Sequence, residues 1–302
     1  MSLFSISIDL DEIACYEQIH GLQTKVASHA VYDVALARIA EFASSLALPV
    51  TVFVIARDLE RAENAQSIRR LLAQGHEVGN HSLDHFYDLT RREQSEQLKQ
   101  VQGANEQIRA LLGVAPEGFR APGYTVTDTL LGIVADLGMR YDSSVFPCPP
   151  YYAAKASVLL GQKLRGRKSR SILDAPGVLR APSVPYRIGQ PYWQPGTGLL
   201  ELPIQVSGPL RVPFIGTALT LLGPNGARLL ARGVLSERFV NLELHGIDFL
   251  EARDVPKELL PLQPDLRVPW ERKLKTFGAV VELLRQNGFA ALRLDEAARH
   301  FS

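Results

Sequence analysis

Two cysteines in 302 residues, Cys15 and Cys148, are too few for a disulfide framework, and they show no C-x-x-C spacing, so two unpaired thiols are expected. Long hydrophobic runs are scarce as well. The longest, such as FIGTALTLLG from Phe214 to Gly223, fall well short of the roughly 20 residues of a spanning helix. Net charge is nearly absent: 33 Lys and Arg against 32 Asp and Glu leave +1, which is no footprint for a phosphate backbone and argues against a nucleic-acid partner. There is no internal repeat and no biased tract. The start, MSLFSISIDLDE, has no basic segment followed by an apolar one, so it carries no export signal and a cytoplasmic location is expected.

What is present is a globular composition, 46% hydrophobic and 22% charged, in a chain long enough to bury a large core. Strand-like and helix-like segments take turns. Phe4–Leu10 alternates with period two, and 31–48 carries apolar residues at helical spacing. PVTVFVI from Pro49 to Ile55 is a β-branched run suited to burial on both faces. Helices are expected at 59–73, 91–112, 127–137, 227–235 and 271–286, with strands at 76–80, 118–121, 139–143, 199–204, 239–245 and 290–294. This alternation predicts an irregular (β/α) barrel of seven or eight mostly parallel strands in one domain, 1–302. At about 147–199 the rhythm breaks into a Pro- and aromatic-rich insertion (PCPPYY, APSVPYRIGQPYWQPG) with a basic run, KLRGRKSR from Lys163 to Arg170, and a segment of this kind is read as a substrate-facing loop.

The stretch GHEVGNHSLDHFYDLT, 75–90, holds three of seven histidines. His81 and His85 stand four apart and share a face if the segment is helical. Asp9 and Asp11, two apart at the end of the first strand, point the same way. Two imidazoles and one carboxylate make a zinc shell with an open position, and a second carboxylate can take a proton from water there. Each pattern alone also fits a bland role, surface or capping histidines and a solvated D-x-D turn. Taken together, they support a one-metal hydrolase acting on a carbonyl.

Five motifs in order, SIDLD, GNHSLDH, FRAPGY (119–124), YDSSVFP (141–147) and LELHGID (242–248), resemble those of the polysaccharide deacetylase family, the NodB-like carbohydrate esterases of family four. The likeness runs over about residues 4–295, and the motif wording is nearest to deacetylases associated with exopolysaccharide gene clusters. The resemblance implies that Asp11, His81 and His85 hold one divalent metal, zinc or cobalt or another transition metal. It implies Asp9 as general base, Arg120 as the residue holding that base, His245 as general acid and Asp142 as the carboxylate orienting it. It also implies the backbone N–H of Gly123 as an oxyanion donor and Tyr124 as a sugar contact. Two positions depart from the family: D-L-D replaces adjacent aspartates, and Tyr124 lies one place later than the usual aromatic. Asp248 is a rival partner for His245, and His20, His29, His76 and His300 match no motif. The implied activity is hydrolysis of an N-acyl group, above all N-acetyl, from an amino sugar in a glycan or a lipid- or nucleotide-linked precursor. A deformylase of a lipid-linked amino sugar and an inactive sugar-binding protein are the alternatives. No transmembrane segment is expected, and peripheral membrane contact stays open through the basic run and PFIGTALTLL.

Overall fold

Strand β1 (Ser2–Asp9) shows how the alternation is used. In the computed structural model, which describes residues 2–22, 28–164 and 171–302, Phe4, Ile6 and Ile8 pack outward into the main core and Ser5, Ser7 and Asp9 face the barrel interior. Both faces are buried, so the polar half of the pattern marks a lumen and not solvent.

The strands that follow are β2 (Thr51–Val54), β3 (Glu77–Asn80), β4 (Gly118–Phe119), β5 (Tyr141–Asp142), β6 (Tyr186–Ile188), β7 (Pro195–Glu201), β8 (Val206–Ser207), β9 (Val212–Pro213), β10 (Phe239–His245) and β11 (Phe289–Ala291). The curled sheet runs β10-β1-β2-β3-β4-β5-β7 with all neighbours parallel, β6 adds antiparallel to β7, and β11 pairs with the first half of β1. This is the irregular (β/α) barrel that the alternation predicts. Between β7 and β10 it closes through few bonds: the Gln205 N–H donates to Asn241 O at 3.1 Å, and Asn241 Nδ2 donates to Leu202 O at 3.1 Å and Pro203 O at 3.3 Å. Leu3, Phe53, Tyr141, Leu200 and Phe239 belong to one buried cluster, in which the Phe53 ring lies directly beneath Arg120. Gly79 is required there, because a Cβ at that position would lie 2.5 Å from the Phe53 ring.

Helices α1 (Ile13–His20), α2 (Leu36–Ser45), α3 (Ala62–Ala73), α4 (Gln94–Leu112), α5 (Asp128–Asp136), α6 (Pro149–Leu164), α7 (Gly216–Arg232), α8 (Trp270–Gln286) and α9 (Leu294–Phe301) surround the sheet. Four helices differ from the sequence expectation. The insertion contains the 16-residue helix α6, whose apolar stripe faces a cleft and not the core. Helix α7 begins at Gly216, eleven residues ahead of the periodic segment, because Gly223 at φ 66° and Pro224 kink one helix into two halves. Helices α1 and α9 have no counterpart among the expected segments. Most of the basic run 163–170 lies outside the described residues. Cys15 and Cys148 are both free, and no helix among the described residues is long and apolar enough to cross a membrane.

Candidate metal centre and active site

The carboxyl ends of β1 and β3 bring the first groups together. Asp9 ends β1, and Asp11 follows it past Leu10, whose N–H donates to Phe53 O at 3.0 Å. His81 and His85 follow β3 in a turn, not in the helix that their spacing suggests: Ser82 and His85 take φ of 67° and 53°. Local bonds enforce that left-handed geometry. The Ser82 N–H donates to Asn80 Oδ1 at 2.6 Å, and the His85 N–H donates to Ser82 Oγ at 3.1 Å. Gln100 of α4 clamps the same turn through Asp84, accepting its N–H at 2.9 Å and donating to Oδ2 at 2.7 Å.

The result is a convergence of lone pairs. Asp11 Oδ1 lies 3.1 Å from His81 Nε2 and 3.2 Å from His85 Nε2. Ligand atoms about 2.0–2.1 Å from a tetrahedral zinc lie roughly 3.3 Å from one another, so these separations fit a shared cation. Asp11 Oδ1 and His85 Nε2 are buried with no hydrogen-bond partner, as metal ligands would be before the ion is counted. His81 Nδ1 lies 2.7 Å from the Arg120 carbonyl, which only accepts, so the proton sits on Nδ1 and Nε2 offers its lone pair. Burial alone would push the Asp11 carboxyl up, but the two imidazoles outweigh it and hold it well below the ordinary carboxylate range. The donor set therefore fits a divalent transition metal.

Asp9 is held differently. Its Oδ1 accepts from Arg120 Nη1 at 2.7 Å, while Oδ2, 3.8 Å from His81 Nε2, is buried and unpartnered. Arg120 is wholly buried over the Phe53 ring and donates also to Ser7 Oγ (2.8 Å), Ser143 Oγ (2.8 Å) and Ser143 O (2.7 Å). Such a fixed cation beside Asp9 makes it the poorer metal ligand of the two aspartates.

Across from Asp9 stands His245, the last residue of β10. Asp9, Glu243 and His245 place side-chain atoms within 4.8 Å of one another. Nδ1 of His245 lies 2.9 Å from Glu243 Oε1, and Nε2 lies 3.0 Å from the Tyr124 hydroxyl. Burial lowers the affinity of His245 for its proton, but the Glu243 carboxylate more than reverses this and raises the pKa well above 6.5.

Asp142 does not reach His245, which corrects the role implied by the resemblance. It accepts from Ser144 N–H and Ser144 Oγ, both at 2.9 Å, and Ser144 Oγ in turn accepts the Ala121 N–H at 2.8 Å, so Asp142 supports the loop that carries Arg120. Its neighbour Glu201 is driven well above its ordinary range by burial and by Asp142, and so carries a proton. The carboxylate at His245 is Glu243, two residues back on the same strand face, a signal already present in the i, i+2 spacing. Asp248 instead takes the backbone N–H of His245 at 2.8 Å. Gly123, at φ 62°, and Tyr124 line the cleft with Asp9, Asp11, His81 and His245. Of the unassigned histidines, His20 lies at the cleft edge, bonded to Gln263 at 3.1 Å.

Sequence comparison matches residues 32–141 to the polysaccharide deacetylase family model. A chitooligosaccharide deacetylase of Bradyrhizobium sp. (strain ANU 289) is 38% identical over 93 residues, 30% of this chain and 41% of that protein. The matched segments thus span less than half the length of the curated relatives. Among solved structures, a Mycobacterium smegmatis protein assigned to the polysaccharide deacetylases shares the fold at TM-score 0.61 and 17% identity, over 99% of this chain and 90% of that one. A carbohydrate esterase family 4 pseudoenzyme from Bacillus anthracis does so at TM-score 0.51 and 14% identity, over 98% of this chain and 65% of that one. The family model and the curated relatives thus agree on a similarity to polysaccharide deacetylases over part of the chain, and the solved structures share its fold over nearly all of it.

Proposed function

We propose that the protein is a metal-dependent hydrolase that removes an N-acyl group, above all N-acetyl, from an amino sugar in a glycan or a lipid-linked precursor. One observation carries the reading: the unpartnered oxygens of Asp9 and Asp11 and the ring nitrogens of His81 and His85 meet at the floor of one cleft, facing the His245–Glu243 pair. A divalent metal held by Asp11, His81 and His85 would polarise the amide carbonyl and acidify water. Asp9 Oδ2, kept free because Arg120 occupies Oδ1, takes the proton from the attacking water. The N–H of Gly123 at the cleft wall donates to the oxyanion that develops on the carbonyl. His245, held charged by Glu243, then gives its proton to the nitrogen as the C–N bond breaks, so water and amide become a carboxylic acid and an amine.

The pseudoenzyme on this fold supports a second reading, sugar binding without turnover. Metal content by plasma mass spectrometry, in wild type and His81→Ala, together with acid released from N-acetyl and N-formyl amino sugars, tests both. Expected are about one metal ion per chain, lost in the variant, and released acetate. Formate alone selects the deformylase alternative. Metal without released acid selects the binding protein, and a wild type that takes up neither zinc nor cobalt overturns the mechanism.

A further inference from the structure

The walls of the catalytic cleft are chemically unlike its floor. The cleft is about 500 Å³, within the range of small-molecule sites, and its floor is the polar set just described. Above the floor the lining is Ile19 of α1, Tyr151, Val158 and Leu159 of α6, and Ile215 and Leu221 at the start of α7. On α6, Tyr151, Lys155, Val158 and Leu159 recur at i, i+4, i+7 and i+8, a single helical stripe turned to the cleft. Val158 and Leu221 are 49% and 51% exposed, and the apolar surface continues outward on the same helices through Leu160, Leu164 and Leu222, all exposed.

A site for a bare glycan needs spare donors and acceptors for hydroxyl groups. The polar side chains beside this apolar stripe are engaged, and the unpartnered hydroxyls of the cleft, those of Tyr16 and Tyr87, stand by His245 and His85 at the floor. Lys155 Nζ donates to Gly123 O at 2.9 Å, His20 and Gln263 bond to each other, and the Thr217 hydroxyl reaches Asp248 at 3.5 Å.

We propose that the cleft takes an amphiphilic substrate, with the amide at the Asp11, His81, His85 floor and a hydrocarbon chain along the walls supplied by α6 and the first half of α7. The assignment of the floor rests on the hydrolase reading above; the assignment of the walls does not. Burying a chain there removes apolar surface from water on both partners, and it covers side chains that otherwise face solvent.

Methyl, butyl and octyl β-glycosides of N-acetylglucosamine, kept below micelle-forming concentration, test it. Each fully buried methylene is worth up to about four-fold, so KM for the octyl glycoside should fall at least about 30-fold below that of the methyl glycoside. In Val158→Glu and Leu221→Glu, both at half-exposed positions where the fold tolerates charge, that ratio should collapse. Leu229→Glu, exposed on α7 outside the cleft, should leave it unchanged. Acetate release that is indifferent to chain length overturns the inference and leaves the hydrolase reading standing. If no glycoside is cleaved, calorimetry decides: octyl-selective binding to the metal-loaded protein, weakened in Val158→Glu, sustains the chain site while the hydrolase reading fails. Length-independent or absent binding overturns the chain site.

Discussion

At the amino end of the barrel Glu77 is buried in the lumen, and at the carboxyl end so are Asp9 and Asp11. Glu77 accepts from Thr51 Oγ1 at 2.6 Å, Tyr141 OH at 2.7 Å and the Asp295 N–H at 2.9 Å, tying β2, β3, β5 and α9 together. At the other end, Asp9 Oδ2, Asp11 Oδ1 and both ring nitrogens of His85 have no hydrogen-bond partner. Leaving a buried polar atom unpartnered costs about 1–3 kcal/mol, so a fold tolerates several in one place only when something else meets them. The satisfied end holds the barrel shut, and the unsatisfied end is where a cation and a substrate would supply the missing partners.

Substitutions that exchange the two behaviours should break this contrast. The largest effect is expected for Asp9→Asn, which removes the proton acceptor but keeps the shape: kcat should fall by about 10²–10⁴-fold with the fold retained. Acid release and a thermal melt check it, and an active Asp9→Asn would remove Asp9 as the base. Glu77→Ala should do the reverse, leaving kcat intact while costing about 3 kcal/mol in urea unfolding, because Tyr141, Thr51 and the Asp295 N–H all lose their acceptor. Loss of activity without loss of stability would show that the amino end is not merely structural.

How much of this was legible in the sequence follows the same division. The barrel is readable because local periodicity encodes it: β1, β2 and β10 each stand where alternation or a β-branched run places them. The groups that meet at the floor are readable as residue types, since D-x-D and H-x-x-x-H are short patterns. Their geometry is not. The histidine turn depends on Asn80, Ser82 and Gln100, of which Gln100 lies on a different element. The resemblance implies Asp142 as the carboxylate at His245, although strand spacing puts Glu243 beside that ring and leaves Asp142 on β5. The lumen network of Ser7, Asn241, Ser143 and Arg120 is not legible, because alternation does not say whether the polar side of a strand meets water or the inside of a barrel. Helix α6 is hidden by its two prolines and by a stripe that faces the cleft.

The His245–Glu243 pair sharpens the contrast through pH. With the pKa of His245 held well above 6.5, the proposed general acid stays protonated past neutrality, and the alkaline limb of kcat/KM should lie well above pH 6.5. Glu243→Gln leaves burial opposed only by the charges of Asp9 and Asp11, so the limb should move down toward 6.5 and activity at pH 8 should drop about 10-fold. The linkage has the same sign: the charged ring adds stability that is fully present below pH 6.5 and lost as pH rises through the folded value. A limb that does not move would assign it to another group.

The smallest effect returns to the amino end. Burial, and then the charge of Asp295, raise Glu77 from 4.5 to about 7. Between those values the folded protein holds a proton that the unfolded chain has released, so this contribution is fully present below pH 4.5 and lost as pH rises through about 7. Glu77→Gln keeps an acceptor for Thr51 and the Asp295 N–H, turns an amide N–H toward the Tyr141 oxygen, and cannot titrate. Stability of the wild type should therefore fall relative to Glu77→Gln by about 1–2 kcal/mol between pH 5 and pH 7. Urea unfolding of both proteins across that range measures the difference directly. Groups that titrate in the same window, Glu12 and Asp58 among them, cancel because both proteins carry them. Parallel pH profiles would mean that Glu77 is ionised in the folded state, and that Thr51, Tyr141 and the Asp295 N–H stabilise a charge at the closed end as fully as a metal would at the open one.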